Sequence, residues 1–329
     1  MNETFALRDA VELAVVERGG FIESRHAGSA VVLAPDGSVL RALGAPDAPV
    51  LPRSSLKPLQ AVAMIAAGAG LQGAEAVIAA ASHAGTPAHI ALVRGLLARA
   101  DLPVSALQCV ADWPLDQTAR DELVREGATK QPLYMNCSGK HAAMLLTCVR
   151  NGWSTSDYLD PSHPLQTHIK DVVQRLTGEN AQTTAVDGCG APIHAVTLTG
   201  LARGMQRIAT SSQSSPFALY RGAAALFAAV LADGWAIDGP GRANTVVIDR
   251  LGTFAKGGAE GVMVMSAPNG TTLALKVLDG SARAATVVAL TLLVQTGALK
   301  ATDVAAVLPQ LHLEVLGGGR PVGTIRPTL

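Results

Sequence analysis

Aromatic side chains are nearly absent: five Phe, three Trp and three Tyr in 329 residues, against 57 Ala and 33 Gly. A core built on small side chains must therefore be closely packed. Net charge is also lacking, since 26 basic and 26 acidic residues cancel. That balance supplies no field to hold nucleic acid or an anionic membrane. Only four cysteines occur (Cys109, Cys137, Cys148, Cys189), too few for a disulfide scaffold in a chain of this length. The longest apolar stretch, Ala61 to Ala81, is interrupted by Gln72 and Glu75 and is rich in Ala and Gly, which falls short of a membrane-spanning helix. The opening residues show no basic region leading into an apolar core. A cytoplasmic protein with reduced thiols is expected. Lysine is scarce as well, seven against 19 arginines, so each lysine is informative.

Apolar residues make up 49% of the chain, and its length suits one large domain or two closely packed ones. Alternating apolar positions at Val11 to Val16, Ser29 to Ala34 and Ser38 to Leu43, with Pro35-Asp36-Gly37 as a turn, predict an antiparallel N-terminal hairpin. Helical spacing begins at Ser54 (Leu56, Leu59, Ala63, Met64, Ala67) and continues to about Gly234. Thr86-Pro87 opens a helix over His89 to Ala98, and Asp160-Pro161 precedes another over Leu165 to Leu176. Strand patterns return at Thr245 to Ile248, Val262 to Ser266 and Thr271 to Leu278, the last two joined by Pro268-Asn269-Gly270, before a helix over Ala282 to Val294. This order predicts an α+β fold in which N- and C-terminal strands form one antiparallel sheet and a mainly helical block is inserted between them. Residues 1–52 and 240–329 would form the sheet subdomain and residues 53–239 the helical one, together a single compact unit.

Four constellations could carry chemistry. Arg53-Ser54-Ser55-Leu56-Lys57 starts a predicted helix, where residues three apart share a face, so Lys57 can reach the Ser54 hydroxyl. A neutral lysine can take the proton of a serine, and burial at the positive end of a helix favours the neutral amine. The same pattern also suits a helix cap beside a solvated lysine. Ala81-Ser82-His83-Ala84-Gly85 lies between helices and either presents Ser82 and His83 to a cleft or simply ends a helix with Gly85 beyond it.

Cys137, in Asn136-Cys137-Ser138-Gly139-Lys140-His141, sits at a helix N-terminus that would lower a thiol pKa, and Cys189 occupies the glycine-flanked turn Asp187-Gly188-Cys189-Gly190. These two could bind zinc with a third ligand or be two inert buried thiols. Finally, Lys256-Gly257-Gly258-Ala259-Glu260-Gly261 precedes a strand and could aim an amine into a cleft or form a surface loop. His26, His89, His163, His168, His194 and His312 stand apart from these motifs and read as structural or solvated.

The order of these elements is more informative than any one of them. A Ser-x-x-Lys opening a helix, a second serine in the helical block and a late Lys-Gly element follow the order of penicillin-recognising serine enzymes. Together with Arg18-Gly19-Gly20-Phe21-Ile22-Glu23-Ser24-Arg25-His26-Ala27-Gly28, the motifs resemble the rhizobial-type L-asparaginase II family across nearly the whole chain. The resemblance implies a serine β-lactamase/glutaminase-like fold and hydrolysis of L-asparagine to L-aspartate and ammonia through an acyl-enzyme. It implies two Ser-Lys pairs, Ser54 with Lys57 and Ser82 with Lys256, and Zn2+ held by Cys137, Lys140 and Cys189. Arg53, His141 and Asp187 would then position substrate, Arg53 on the α-carboxylate and Asp187 on the α-ammonium. A homodimer is also expected by resemblance. The chain departs from the family where Thr86-Pro87 replace a frequent Glu, and where Lys256-Gly257-Gly258 replaces Lys-Thr-Gly. The alternatives are a serine amidase, glutaminase or β-lactamase-like hydrolase acting on another amide, and a zinc-stabilised binding protein without catalysis.

Overall fold

A computed structural model describes residues 3–329. Strands β1 (Val11–Arg18), β2 (Phe21–Leu33) and β3 (Val39–Leu43) come from one end of the chain. After the two-residue β4 (Pro49–Val50), the chain enters helices α1 (Lys57–Ala66), α2 (Gly73–Ala79), α3 (Pro87–Arg99), α4 (Gln117–Arg125), α5 (Ser138–Asn151) and α6 (Pro164–Thr177). Short strands β5 (Thr184–Val186), β6 (Pro192–His194) and β7 (Val196–Thr197) follow, then α7 (Leu198–Ala209), α8 (Ala218–Ala232) and α9 (Ala243–Leu251). Strands β8 (Phe254–Gly257), β9 (Val262–Ser266) and β10 (Thr272–Val277) precede α10 (Ala285–Gln295), α11 (Ala301–Val307) and the hairpin β11 (Glu314–Gly317) with β12 (Arg320–Pro327).

The fold is α+β. Its main sheet runs β11-β12-β1-β2-β10-β9-β8, with β3 also on β2, and every pairing is antiparallel. Strands from both ends of the chain meet where β2 pairs β10, Ser29 opposite Lys276 and Leu33 opposite Thr272. β9 and β10 are buried at every position. Side chains of a strand alternate between faces, so both faces of these strands are covered, and α7 and α10 pack there. Among the helices, α1 is buried along its first eight residues, including the charged Lys57, and packs against α5, α6 and α8. The small-residue composition has a direct use at Gly139. A Cβ there would lie 2.6 Å from the Ile78 carbonyl, so only glycine lets the start of α5 press against the end of α2.

Three sequence expectations are corrected. Thr245 to Ile248 is helical, not a strand: it lies in α9, ended by Gly252 at φ 57°. The β-branched run Thr245-Val246-Val247-Ile248 carries strand propensity, but burial of Asn244 through Ile248 in the core decides the local structure. Lys256, expected just ahead of the strand over Val262 to Ser266, lies within a strand of its own, β8. The chain also continues past the helix at Ala285–Gln295 into α11 and a last hairpin that extends the sheet beyond β1. No helix among the described residues is long and apolar enough to cross a membrane.

Candidate active site

The edge strand β8 meets the turn that opens α1. Residues Arg53–Leu56 form one turn of 3-10 helix that contacts both β8 and β9, and α1 begins at Lys57. Lys57 points inward, 1% exposed. Its Nζ donates to the Ala81 carbonyl at 2.6 Å and lies 3.0 Å from Ser82 Oγ. Lys256 is fully buried, and its Nζ lies 2.9 Å from the same Ser82 hydroxyl while donating to Gly257 O at 2.7 Å. Both amines therefore converge on Ser82. Neither of these bonds involves Ser54, which is half-buried on the 3-10 turn. The tighter turn explains the difference from the helical expectation: Ser54 precedes the α-helix instead of occupying its first turn.

Burial pulls the Lys256 amine down to about 7, with the charge of Lys57 acting in the same direction. At neutral pH a large share of Lys256 is thus the free base, able to accept the Ser82 proton while one of its own N–H groups serves Gly257 O.

The Ser82 loop is anchored on both sides. Ser82 N–H donates to Ile237 O (3.0 Å) and His83 N–H to Asn136 O (3.1 Å). Ser138 Oγ donates to Leu133 O (2.8 Å), which leaves it to accept from His83 Nε2 at 2.9 Å. His83 Nδ1 is then a buried acceptor without a partner. Burial drives the His83 pKa far down, so the ring stays neutral. His83 thus ties the Ser82 loop to the first turn of α5.

That turn carries the sulfur and amine cluster. Lys140, 1% exposed, donates to Cys189 Sγ at 3.2 Å. The Cys189 thiol is held far below its usual range by its hydrogen bond with Cys137, then by the Lys140 charge and His141, against the opposing effect of burial. Cys137 moves the other way, raised by that same hydrogen bond and by burial. Burial alone would lower Lys140, but Cys189, Cys137 and Asp187 outweigh it and raise the amine. The arrangement is an ammonium–thiolate pair.

His141 Nδ1 meets Tyr158 OH at 2.8 Å, and Tyr158 OH accepts Gln108 N–H at 3.0 Å. His141 Nε2 is buried with no hydrogen-bond partner. Two cysteine sulfurs, the Lys140 amine once it has given up its proton, and an unpartnered imidazole nitrogen form the donor set a borderline-soft cation takes, so these residues fit zinc. Among the described residues no three His, Cys, Asp or Glu side chains form a ready metal site.

Arg53 and Asp187, separated by 134 positions, bond directly, Nε to Oδ1 at 2.6 Å. The same Oδ1 accepts Gly188 N–H at 2.9 Å, and Glu260 Oε1 stands 3.7 Å from Arg53 Nη1. Arg53 (φ 50°) and Glu260 (φ 59°) both occupy the left-handed region, a strained backbone that costs side-chain-bearing residues about 1–3 kcal/mol each. Beside them opens a pocket of ≈ 300 Å³ lined by Val50, Leu51, Arg53, Glu260 and Lys276, a lining that does not extend to Ser82 or Lys256.

Sequence reasoning missed Asp238, Asn244 and Tyr158, which hold the site from behind. Asn244 directly precedes the segment expected as a strand at Thr245 to Ile248, and for Asp238 the Asp238-x-x-x-Arg242 spacing of an ion pair was the available signal.

The chain matches the family described as L-asparaginase II over residues 14–327. No curated protein matches it in sequence. Among solved structures it is similar to a β-lactamase from Mycobacterium bovis, with 17% identity over 82% of this chain and 94% of that one at a TM-score of 0.45. It is also similar to a candidate β-lactamase from Bacteroides dorei, with 14% identity, coverage of 76% and 84%, and a TM-score of 0.43. Likeness at that level carries no weight for the assignment, which rests on the family match. The chain belongs to the L-asparaginase II family.

Proposed function

We propose that the protein is an L-asparagine amidohydrolase that forms an acyl-enzyme on a serine activated by lysine. The single observation that carries the reading is the convergence of Lys57 and Lys256 on Ser82, with one of the amines near neutrality. A hydroxyl between two buried amines, one of them a base at pH 7, is built to move protons.

In the reaction, the Ser54 oxygen bonds to the side-chain amide carbon. Its hydroxyl is free of the lysine contacts that engage Ser82, and it lies one residue from Arg53. The Ser54 proton passes into the Lys57–Ser82–Lys256 chain. The carbon–nitrogen bond then breaks, and the chain returns a proton to the departing nitrogen, which leaves as ammonia. Water next attacks the ester carbon and delivers a proton to the same chain, which passes it to the Ser54 oxygen as the ester bond breaks, releasing aspartate and the free Ser54 hydroxyl. The geometry also supports a second reading, in which Ser82 itself attacks, because both amines reach its hydroxyl. Mass spectrometry of the trapped acyl-enzyme separates the two by the serine that carries the added mass.

Arg53 and Asp187 suit an amino-acid substrate. The two opposite charges stand one hydrogen bond apart, as do the α-carboxylate and α-ammonium of an amino acid, so substrate can exchange partners with the pair without leaving a buried charge unmatched. Cys137, Lys140 and Cys189 would hold zinc, which when bound supplies Lewis acidity that helps bind and orient the substrate. Two chains would assemble as a homodimer.

The test is ammonia release from L-asparagine and L-glutamine, with and without a chelator. Release from L-asparagine supports the reading. Release from L-glutamine alone points to a glutaminase. Release from neither, in protein whose melting temperature falls on chelation, makes it a zinc-stabilised binding protein.

A further inference from the structure

The segment joining α8 to α9 touches Ser82, and through Asn244 in the first turn of α9 it reaches the strand that carries Lys256. Ile237 O accepts Ser82 N–H at 3.0 Å. The next residue, Asp238, is buried, and its two oxygens are held separately: Oδ1 accepts Arg242 Nε at 2.6 Å and Oδ2 accepts Asn244 Nδ2 at 2.9 Å. Asn244, also buried, turns its Oδ1 to Gly257 N–H at 3.0 Å. A donor toward the carboxylate and an acceptor toward the amide fix the orientation of that side chain. Gly257 O in turn accepts from Lys256 Nζ, which reaches Ser82 Oγ. Starting and ending at Ser82, the bonds close a ring through Ile237, Asp238, Asn244, Gly257 and Lys256.

We propose that Asp238 and Asn244 are positioning residues that set the Lys256 amine against the Ser82 hydroxyl. Asn244 is the side chain from another element that bonds the backbone of β8, accepting Gly257 N–H. β8 is the last strand of the sheet and pairs on one side only. An edge strand has no second neighbour to hold its register, and Asn244 supplies that missing restraint next to the functional lysine. Misplacement of a catalytic group by a fraction of its bond length is enough to slow a proton transfer severely.

Asp238 also has an electrostatic part. The charged and titratable groups that act on Lys256 are Lys57, Arg242, Asp238 and Cys137: the first two push its pKa down and the other two push it up. Asp238 thus opposes the burial that lowers the amine, and it is itself partly balanced by Arg242. Removing its charge while keeping its shape would lower the amine further.

This inference rests on the reading of Lys256 as the proton acceptor, and the closing experiment separates the two. Ammonia release from L-asparagine is measured across pH for Lys256→Met, Asn244→Ala, Asp238→Asn and the exchanged pair Asp238→Asn with Asn244→Asp. In the exchanged pair the amide at 238 can donate to the carboxylate at 244, whose other oxygen still accepts Gly257 N–H, so both bonds are rebuilt with the charge kept in the network. The expected results are a kcat about tenfold lower or worse for Asn244→Ala with KM little changed, and recovery of most of that loss in the exchanged pair. For Asp238→Asn the acid limb of the kcat profile moves to lower pH by about half a unit or more.

A purely structural role would lower the folded fraction and leave that limb in place. Asn244→Ala with parental kcat, or a limb unmoved in Asp238→Asn, overturns the inference. If Asn244→Ala does not fold, the near-isosteric Asp238→Asn still decides it. Parental activity in Lys256→Met overturns instead the reading on which the inference rests.

Discussion

Lys256 Nζ lies 2.9 Å from Ser82 Oγ although 174 positions separate them in the chain. With Lys57 at 3.0 Å from the same oxygen, the hydroxyl has an amine on either side. We expect Ser82→Ala and Lys256→Met each to lower kcat by about 10²–10⁴, the usual contribution of a positioned acid or base, with KM changed far less. Steady-state ammonia release checks this. A Lys256→Met enzyme within tenfold of the parent would remove the amine from the proton pathway.

The same amine should weaken the fold below neutral pH. In the unfolded chain a lysine stays protonated up to about pH 10.4, whereas in the folded protein burial lowers Lys256 to about 7. Above the unfolded value both states are neutral and the residue costs nothing. As pH falls toward 7 the unfolded state binds a proton that the folded state does not, and stability drops. Below 7 both states are protonated and the cost stays at its full value. At about 1.4 kcal/mol per unit, that cost is several kcal/mol at most. Lys256→Met should therefore gain stability over the parent at pH 6 and lose that advantage by pH 10. Denaturant titrations at the two pH values measure it, and a difference that does not vary with pH would contradict the burial argument.

Much of this site was legible before folding was considered, because several motifs bring their residues together through local geometry. Cys137 immediately precedes α5 and Lys140 and His141 lie in its first turn, while Asp187 and Cys189 share one tight turn closed by the Gly190 N–H to Asp187 O bond at 2.8 Å. What the sequence could not show is which hydroxyl Lys57 would meet. Spacing placed it by Ser54, but a turn of 3-10 helix and an inward-pointing side chain send it to Ser82 on another element. Nor could local pattern reveal Asn244. Its value lies in a long-range contact with β8, and the β-branched residues beside it read as a strand. The sheet was legible for the strands with clear alternation or a Pro-Asn-Gly turn. The β11–β12 hairpin carries only half-buried alternation around Gly317-Gly318-Gly319 and was not.

Gly258 and Gly257 should respond oppositely to substitution. A Cβ on Gly258 would stand 2.7 Å from Pro52 O and 3.1 Å from Ser55 N, backbone atoms that cannot move without shifting the turn that carries Arg53 and Ser54. On Gly257 it would meet Met263 at 3.4 Å and Asn244 Oδ1 at 3.6 Å, ordinary contacts. A side chain at 257 would thus rest against Asn244 of α9 and Met263 of β9. Gly257→Ala should keep melting temperature and kcat near parental values. Gly258→Ala should lower kcat by about tenfold or more, since small displacements of an attacking group are costly. Parental activity in Gly258→Ala would show that the turn yields freely.

The Cys137–Lys140–Cys189 cluster should bind one zinc ion per chain and gain stability from it. The group is already assembled within α5 and the Cys189 turn, so little ordering opposes binding, and ligand that binds only the folded state stabilises it by about 4 kcal/mol at a thousandfold excess over Kd. Elemental analysis after dialysis should give one zinc per chain in the parent. Cys189→Ser should give close to none, because it removes one of the two soft ligands as well as the partner of the Lys140 amine. Zinc should raise the melting temperature of the parent by several degrees and leave Cys189→Ser unchanged. His141→Gln probes the unpartnered Nε2: zinc stoichiometry that survives this change confines the site to Cys137, Lys140 and Cys189, and its loss adds the imidazole to the donor set. Absence of zinc and of any thermal shift in the parent would leave the cluster as an ammonium–thiolate pair that holds the Cys189 turn against α5.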